Sequence, residues 1–534
     1  MGADRTGGGS RGGAVAKKLD DRLSLAGILR DEVRKAFPEH WSFQLGEIAL
    51  YSFAILILTG VYLTFFFHPS ASEVTYRGSV PLLRGVRMSQ AYASTVNISF
   101  DVRGGLLIRQ IHHWAANLFL AAIMLHLLRI FFTGAFRKPR EINWLIGTAL
   151  FALAILEGFA GYSLPDDLLS GTGLRIAQGI VLSIPVVGTY LSFFIFGGEY
   201  PGEDLIPRLF TVHVLLVPGL LLGLITAHMI VLWHQKHTQW PGARQREANV
   251  VGDPLFPGFM GSTTAFFFFI FAVLAFLGTA AQINPIWLYG PYRPSLVSSN
   301  SQPDWYIGFL EGALRIWPNL TTTVAGHDLI WNVFLPGVGV PATMLALIAL
   351  YPFFERWATR DARFHDVLDR PRNAPTRTAV GAAAVTAYGV LWAAGGDDVF
   401  AAVFQLSIED VVWFFRIGFV LGPVVAFVVT RRVCLRLQRR DRWRAAYGDL
   451  SGVIERLPGG AYRELEVDVG ADARARLATR PAEPEPLPRH LIPLPTPNRI
   501  RAQVRARMNR LYLSEKKEIV SAQGRPPTDE AETQ

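Results

Sequence analysis

Eight apolar runs, each near the roughly 20 residues needed to cross a ~30 Å hydrocarbon layer, dominate the chain at 45–67, 106–132, 143–163, 209–234, 262–283, 329–353, 378–395 and 409–430. Lipid offers a peptide group no hydrogen bond, so runs of this kind close their own backbone bonds as helices. The predicted fold is all-α and polytopic, with about eight transmembrane helices. Half of the 534 residues are hydrophobic, 36 Phe and 13 Trp among them, which is more apolar surface than a soluble domain buries.

A ninth run, 177–196, is interrupted by Pro185 and Gly188 and is read as a surface or re-entrant hairpin. Charge supports that choice. With eight spans, Lys17, Lys18, Arg22, Arg34 and Lys35, the turn Arg137-Lys138-Pro139-Arg140, the Lys236 to Arg246 loop, the Arg356 to Arg377 loop and the Arg-rich segment after Thr430 all share one side. The positive-inside rule makes that side the cytoplasm and puts both termini there. The net charge of +9 then reflects topology and anionic membrane lipid, with no need for nucleic acid. No h-region followed by a small-residue cleavage site precedes the first span, so no segment is expected to be removed.

Four regions follow: a cytoplasmic arm (1–44), a four-helix bundle with an outer surface hairpin (45–234), a second four-helix block with an outer loop (235–430), and a cytoplasmic extension (431–534) rich in Arg, Glu and Pro, as in 481–486. The single cysteine, Cys434, excludes an internal disulfide, a cysteine-ligated iron–sulfur cluster and thioether attachment of a haem. Any haem here is held by axial ligands alone.

Ionisable side chains inside spans are costly and default to function. The second span carries His112, His113 and His126, and the fourth carries His213 and His228. His112 and His126 are fourteen residues apart, which is about 40° short of four full turns and ~21 Å along the axis, so they share a face. His113 falls nearly opposite His126. His213 and His228 are fifteen apart, about 60° out of register, with Pro218 expected to kink the helix between them. Two tiers of facing imidazoles result: His112 with His213 near the outer surface, His126 with His228 near the inner one. Each tier suits one low-spin b-type haem with two histidine ligands. A lone intramembrane histidine is ordinarily a packed, hydrogen-bonded side chain; two matched pairs favour ligation.

Gly46 and Gly60 in the first span and Gly147 and Gly161 in the third repeat the fourteen-residue interval. They permit close backbone approach around a haem, although small-residue helix packing alone would also use them. Arg109 and Arg129, each three residues from a histidine, are placed to meet propionates.

Arg109-Gln110-Ile111-His112, the run 124–129 ending in Arg129, Gly161-Tyr162-Ser163-Leu164-Pro165 and Pro303-Asp304-Trp305-Tyr306 together resemble the cytochrome b family over roughly 40–430. The last motif is similar to that family's Pro-Glu-Trp-Tyr, with Asp for Glu. The resemblance implies an outer quinol-oxidising site in which Asp304 accepts a proton, Tyr306 hydrogen-bonds or orders water near the quinone oxygen, Tyr162 walls the pocket and Glu311 assists the proton relay. It implies an inner quinone-reducing site drawn from Trp233, His234, Lys236 and His237. It also implies two haem b groups, a Rieske iron–sulfur partner, a cytochrome c subunit, a homodimer and a bacterial cell membrane. Asp166-Asp167 after Leu164-Pro165, the fifteen-residue interval and the long C-terminal segment resemble the actinobacterial branch, which implies menaquinol as substrate and docking to a terminal oxidase. Two rival readings are a diheme membrane anchor of a dehydrogenase, which lacks the second block and the Pro-Asp-Trp-Tyr loop, and a proton-coupled transporter with histidine relays.

Overall fold

The computed structural model describes residues 35–198, 200, 202–296, 302, 304–470, 473, 477 and 496–521. Lys17, Lys18, Arg22, Arg34, Pro303 and the segment 481–486 lie outside the described residues.

Fourteen helices carry the account: α1 (Gln44–Thr64), α2 (Gln90–Phe100), α3 (Gly105–Thr133), α4 (Glu141–Ser163), α5 (Leu168–Leu182), α6 (Gly188–Phe196), α7 (Leu205–Gln235), α8 (Met260–Ala280), α9 (Gly308–Ile316), α10 (Trp331–Thr359), α11 (Pro375–Ala394), α12 (Asp397–Phe404), α13 (Ile408–Tyr447) and α14 (Thr496–Ser521). Among the described residues seven helices are long and apolar enough to cross a membrane, or eight if α11 and α12, bent by 65°, count as one broken span. The protein is a polytopic all-α membrane protein. Short two-stranded hairpins (73–75 with 87–89, 321–324 with 327–330, 449–456 with 462–467) decorate its ends.

The 177–196 run forms the end of α5 and all of α6, of 15 and 9 residues. At 1.5 Å per residue neither covers a ~30 Å layer. Asp167 caps α5, accepting from the Leu169 and Ser170 amides at 3.1 and 3.3 Å, which answers two of the amides a helix start leaves unpaired.

Helices pack in pairs, α1 on α3 and α4 on α7, and the pairs meet around one core. Phe53, Phe119, Leu120, Leu150, Val217 and Leu221 fill its middle. Phe119 lies seven residues from both His112 and His126, so this apolar plug separates the two histidine levels.

Three features depart from the expected layout. The fifth span, α8, packs on α1 and α3 rather than on the later spans, so the second block comprises α9, α10, α11 and α13. A Cβ at Gly278 of α8 would stand 2.8 Å from Ile111 Cγ1, and Gln110 and Trp114 of α3 donate to the Ile283 and Ala281 carbonyls at 2.9 and 2.8 Å. Second, α13 does not stop near Thr430: its 40 residues run about 60 Å. The Arg, Leu and Gln residues past the apolar stretch remain good helix formers until Gly448. Third, part of the extension docks on the bundle through α14, where Tyr512 and Tyr351 share a 3.0 Å hydroxyl bond and the Thr376 hydroxyl donates to the Leu511 carbonyl at 2.8 Å.

The basic turns meet at one end of the bundle, as the eight-span reading requires. Arg140 bonds Asp366 at 2.7 Å, Arg137 bonds Asp369 at 3.0 Å, and the Gln239 amide donates to the Asp366 carbonyl. Buried beneath them, Arg377 grips Glu355 at 2.7 Å and Asp369 at 2.9 Å.

Candidate functional site

His112 and His126 sit on α3 and His213 and His228 on α7, and the four glycines sit on the partner helix of each pair. A Cβ at Gly60 would stand 3.2 Å from His112 Cε1, one at Gly46 3.1 Å from His126 Cε1, and one at Gly147 3.9 Å from His228 Cε1. One at Gly161 would overlap the His213 ring. Gly46, Gly60 and Gly161 therefore make room for the imidazoles themselves, a more specific role than general space beside a flat ligand, whereas a Cβ at Gly147 would be in ordinary contact.

Fifteen residues separate His213 from His228, yet α7 is not simply kinked at Pro218. Residues Val212–Leu216 form one π-helical turn, in which the Val217 amide reaches back five residues to the Val212 carbonyl. Such a turn holds one extra residue, so the fifteen-residue interval spans the rotation of fourteen. Pro218 lacks the amide that would continue the α ladder, and this favours the wider turn.

In the first tier the His112 and His213 rings face each other with centroids 6.2 Å apart, at 77°. Two imidazoles bound on opposite sides of one metal at about 2 Å each would have centroids about 6 Å apart. Both Nδ1 atoms are already engaged: His112 with the Thr59 hydroxyl at 2.9 Å, His213 with the Glu157 carboxylate at 2.9 Å. Thr59 donates onward to the Ile55 carbonyl at 2.7 Å, so it accepts from His112, and Nε2 is the nitrogen each ring has left for a ligand. Thr59 and Glu157 were not singled out from sequence; an acid inside the third span was the available signal for Glu157.

The second tier opens into a cavity of about 860 Å³ lined by His126, His228, Arg129, Trp233 and His237 among others. His126 Nδ1 and His228 Nδ1 are buried without a hydrogen-bond partner among the described residues, as are Arg129 Nε and Nη2 and Arg109 Nη1. Arg129 lies over the Phe43 ring at 4.4 Å, and Arg109 Nη2 donates to the Asn284 carbonyl at 2.9 Å. Buried, unsatisfied guanidinium atoms at both levels fit an anionic group such as a propionate. Facing imidazoles with an orphaned arginine at the first tier, and two cavity-lining imidazoles with an orphaned arginine at the second, are chemistry that suits a haem.

Of the candidates past α7, Trp233 and His237 line the cavity, but His234 and Lys236 are exposed and stand outside it. Lys236 adopts φ 64°, which ends α7 and turns the chain so that His237 packs 4.6 Å from the Phe37 ring. Burial, reinforced by Arg140, lowers the His237 pKa to about 4. His40, ahead of the first span, also lines the cavity; burial and then Arg129 lower its pKa. Both imidazoles are neutral near pH 7.

At the other end of the bundle, the Asp304–Tyr306 loop tucks against α4. The Tyr306 hydroxyl donates to Asp304 Oδ2 at 2.9 Å and occupies the space a Cβ at Gly158 would need. Gly158 and Gly161 lie three residues apart on one helical face, so Tyr306 sits one turn from the His213 ring. Trp305 Nε1 donates to Asn117 of α3 at 3.0 Å, and Trp392 of α11 donates to the Trp305 carbonyl at 2.9 Å. Burial raises the Asp304 pKa to about 6, against the stabilising Tyr306 bond and with help from Asp167. The Tyr162 hydroxyl lies close enough to feel the charges of Asp167 and Asp304. Glu311 is held by Arg315, with Oε1 2.5 Å from Nη2, and Arg315 also binds Asp397 and reaches Asp398 at 3.0 Å.

Fold and site define a membrane-embedded helical bundle with histidines at two levels between its paired helices. A family model described as Cytochrome b(N-terminal)/b6/petB matches residues 117–291. The chain is 51% identical over 514 residues to a cytochrome bc1 complex cytochrome b subunit of Streptomyces coelicolor, covering 95% of this chain and 94% of that one. It is 51% identical over 460 residues to the subunit so named in Mycobacterium leprae, covering 85% and 82%. A chain of a hyperthermophilic respiratory Complex III shares the fold at a TM-score of 0.57 and 22% identity, covering 77% of this chain and 99% of that one. This chain belongs to the family of cytochrome b subunits of the cytochrome bc1 complex. The dehydrogenase-anchor and transporter readings are not favoured, since these relatives match along most of their length.

Proposed function

We propose that the chain binds two haem b groups, one between His112 and His213 and one between His126 and His228, and works as the quinol-oxidising, quinone-reducing core of a quinol:cytochrome c reductase. The observation that carries this is the first tier: two rings 6.2 Å apart, each Nδ1 already bonded and each backed by a glycine. When bound, the haems supply a one-electron path between the two ends of the bundle.

The Asp304 end is read as the outer, quinol-oxidising site. Asp304 takes a proton from the quinol hydroxyl, and Tyr306, bonded to Asp304 at 2.9 Å, fixes the carboxylate. Tyr162 walls the pocket. Glu311 is the second carboxylate of the exit route, tied through Arg315 to the more exposed Asp398. Arg109 and Arg129 neutralise propionates. At the other end, neutral His237 and His40 present hydrogen-bonding nitrogens to a quinone in the large cavity. A separate Rieske protein takes the first electron and a cytochrome c subunit receives it, because one cysteine cannot hold either centre here.

The substrate is read as menaquinol, the membrane as a bacterial cell membrane with both termini cytoplasmic, and the working unit as a homodimer docked to a terminal oxidase. Quinol-dependent cytochrome c reduction by the purified complex tests the assignment: activity lost in D304N supports it, and a complex inert toward quinol rejects it.

A further inference from the structure

Glu47 follows Gly46 on α1 and lines the same cavity as His126 and His228. Its Oε2 accepts from the Tyr51 hydroxyl at 3.0 Å and from the Thr263 hydroxyl of α8 at 2.8 Å. Tyr51 and Thr263 also touch each other. Among the described residues both bonds fall on Oε2, which leaves Oε1 free to carry a proton. A carboxylate within a span is costly, and α1 does not need it to hold α8: Ile55, Ile111, Ile270 and Leu274 already pack that seam. At its mouth the cavity reaches Glu39, which is exposed, and His40, so water enters there.

We propose that Glu47, oriented by Tyr51 and Thr263, delivers a proton to the quinone reduced in this cavity. The inference rests on the functional reading above. Reduction adds two electrons and two protons to the quinone. The electrons would be supplied by the haem that His126 and His228 would hold. One proton leaves Glu47 Oε1 for a quinone oxygen, and water at the cavity mouth restores it; the second proton comes from the same water.

The test uses the assembled complex and follows the b-haem absorption band after rapid mixing with quinol, then with excess quinone. Reduction through the outer site should proceed at the wild-type rate in every variant. Reoxidation by quinone should slow on the order of tenfold or more in E47Q, roughly fivefold in T263V, which keeps the acid and removes one hydrogen bond, and return to within about threefold of wild type in E47D. E47Q reoxidising at the wild-type rate overturns the proposal, and so does E47D as slow as E47Q, which would make Glu47 a packing group. If E47Q assembles without haem, T263V decides, and unchanged reoxidation there overturns the proposal. Wild-type protein lacking b-type bands would defeat the functional reading instead.

Discussion

The Nδ1 of His213 lies 2.9 Å from the carboxylate of Glu157, one helix away in the middle of the bundle. A carboxylate on the far nitrogen of a ligand imidazole raises its basicity and favours the oxidised metal. The variant E157Q keeps the shape and drops the charge. Its outer-tier haem should titrate at a higher midpoint potential, by roughly 60 mV for a loss of about 1.4 kcal/mol in a one-electron couple. The other haem should not move. A redox titration followed optically measures both.

Ligand removal should separate the tiers. His126→Ala and His228→Ala each remove the inner haem and spare the outer, because Phe119 and its neighbours pack the space between the levels independently of either ligand. Gly161→Ala should do the reverse, since its methyl overlaps the His213 ring; overpacking of this kind costs about 1–3 kcal/mol. Haem content per chain, read from the pyridine adduct, checks all three.

Much of this site was legible because a regular α-helix converts spacing into facing: fourteen residues place His112 above His126 with no further information. The π turn at Val212–Leu216 was not legible, since it resides in backbone bonding that side-chain periodicity does not encode, and Pro218 was therefore read as a kink. His40 and Thr59 belong to the site through tertiary contacts between α1 or the segment before it and other spans, which no local pattern announces, whereas Glu47, like Glu157, carried the signal of an acid inside a span. His234 misled for a related reason, as the positive φ at Lys236 redirects the chain one residue later. The length of α13 was missed because falling hydropathy marks the end of a span but not the end of a helix.

Quinol oxidation should depend on the ionisation of Asp304. Burial raises its pKa to about 6, so the proton-accepting carboxylate is present above that pH and lost below it. The rate of quinol-driven haem reduction should rise through pH 6 and level off. The D304N variant should be slower by on the order of a hundredfold or more and lack that inflection. Stability runs the opposite way: a carboxyl whose folded pKa is raised favours the fold fully below its unfolded value near 3.9, and that contribution fades as pH rises through about 6.

The ion cluster at the basic end should be sensitive to losing one member. Arg377→Ala strands the buried Glu355 and leaves the buried Asp369 to Arg137 alone among the ion pairs named above, and should destabilise the protein by about 3–5 kcal/mol. Faster thermal loss of the haem band in detergent would report it, with Arg356→Ala, whose partner Glu141 is met from a half-exposed side chain, as the milder comparison.

The most direct test is an optical redox titration of the purified complex with haem quantified per chain. Two b-type components of distinct potential are expected, one abolished by His112→Ala and the other by His126→Ala. A single component, or a spectrum that loses both bands to either substitution while the protein stays folded, would contradict the two-tier account.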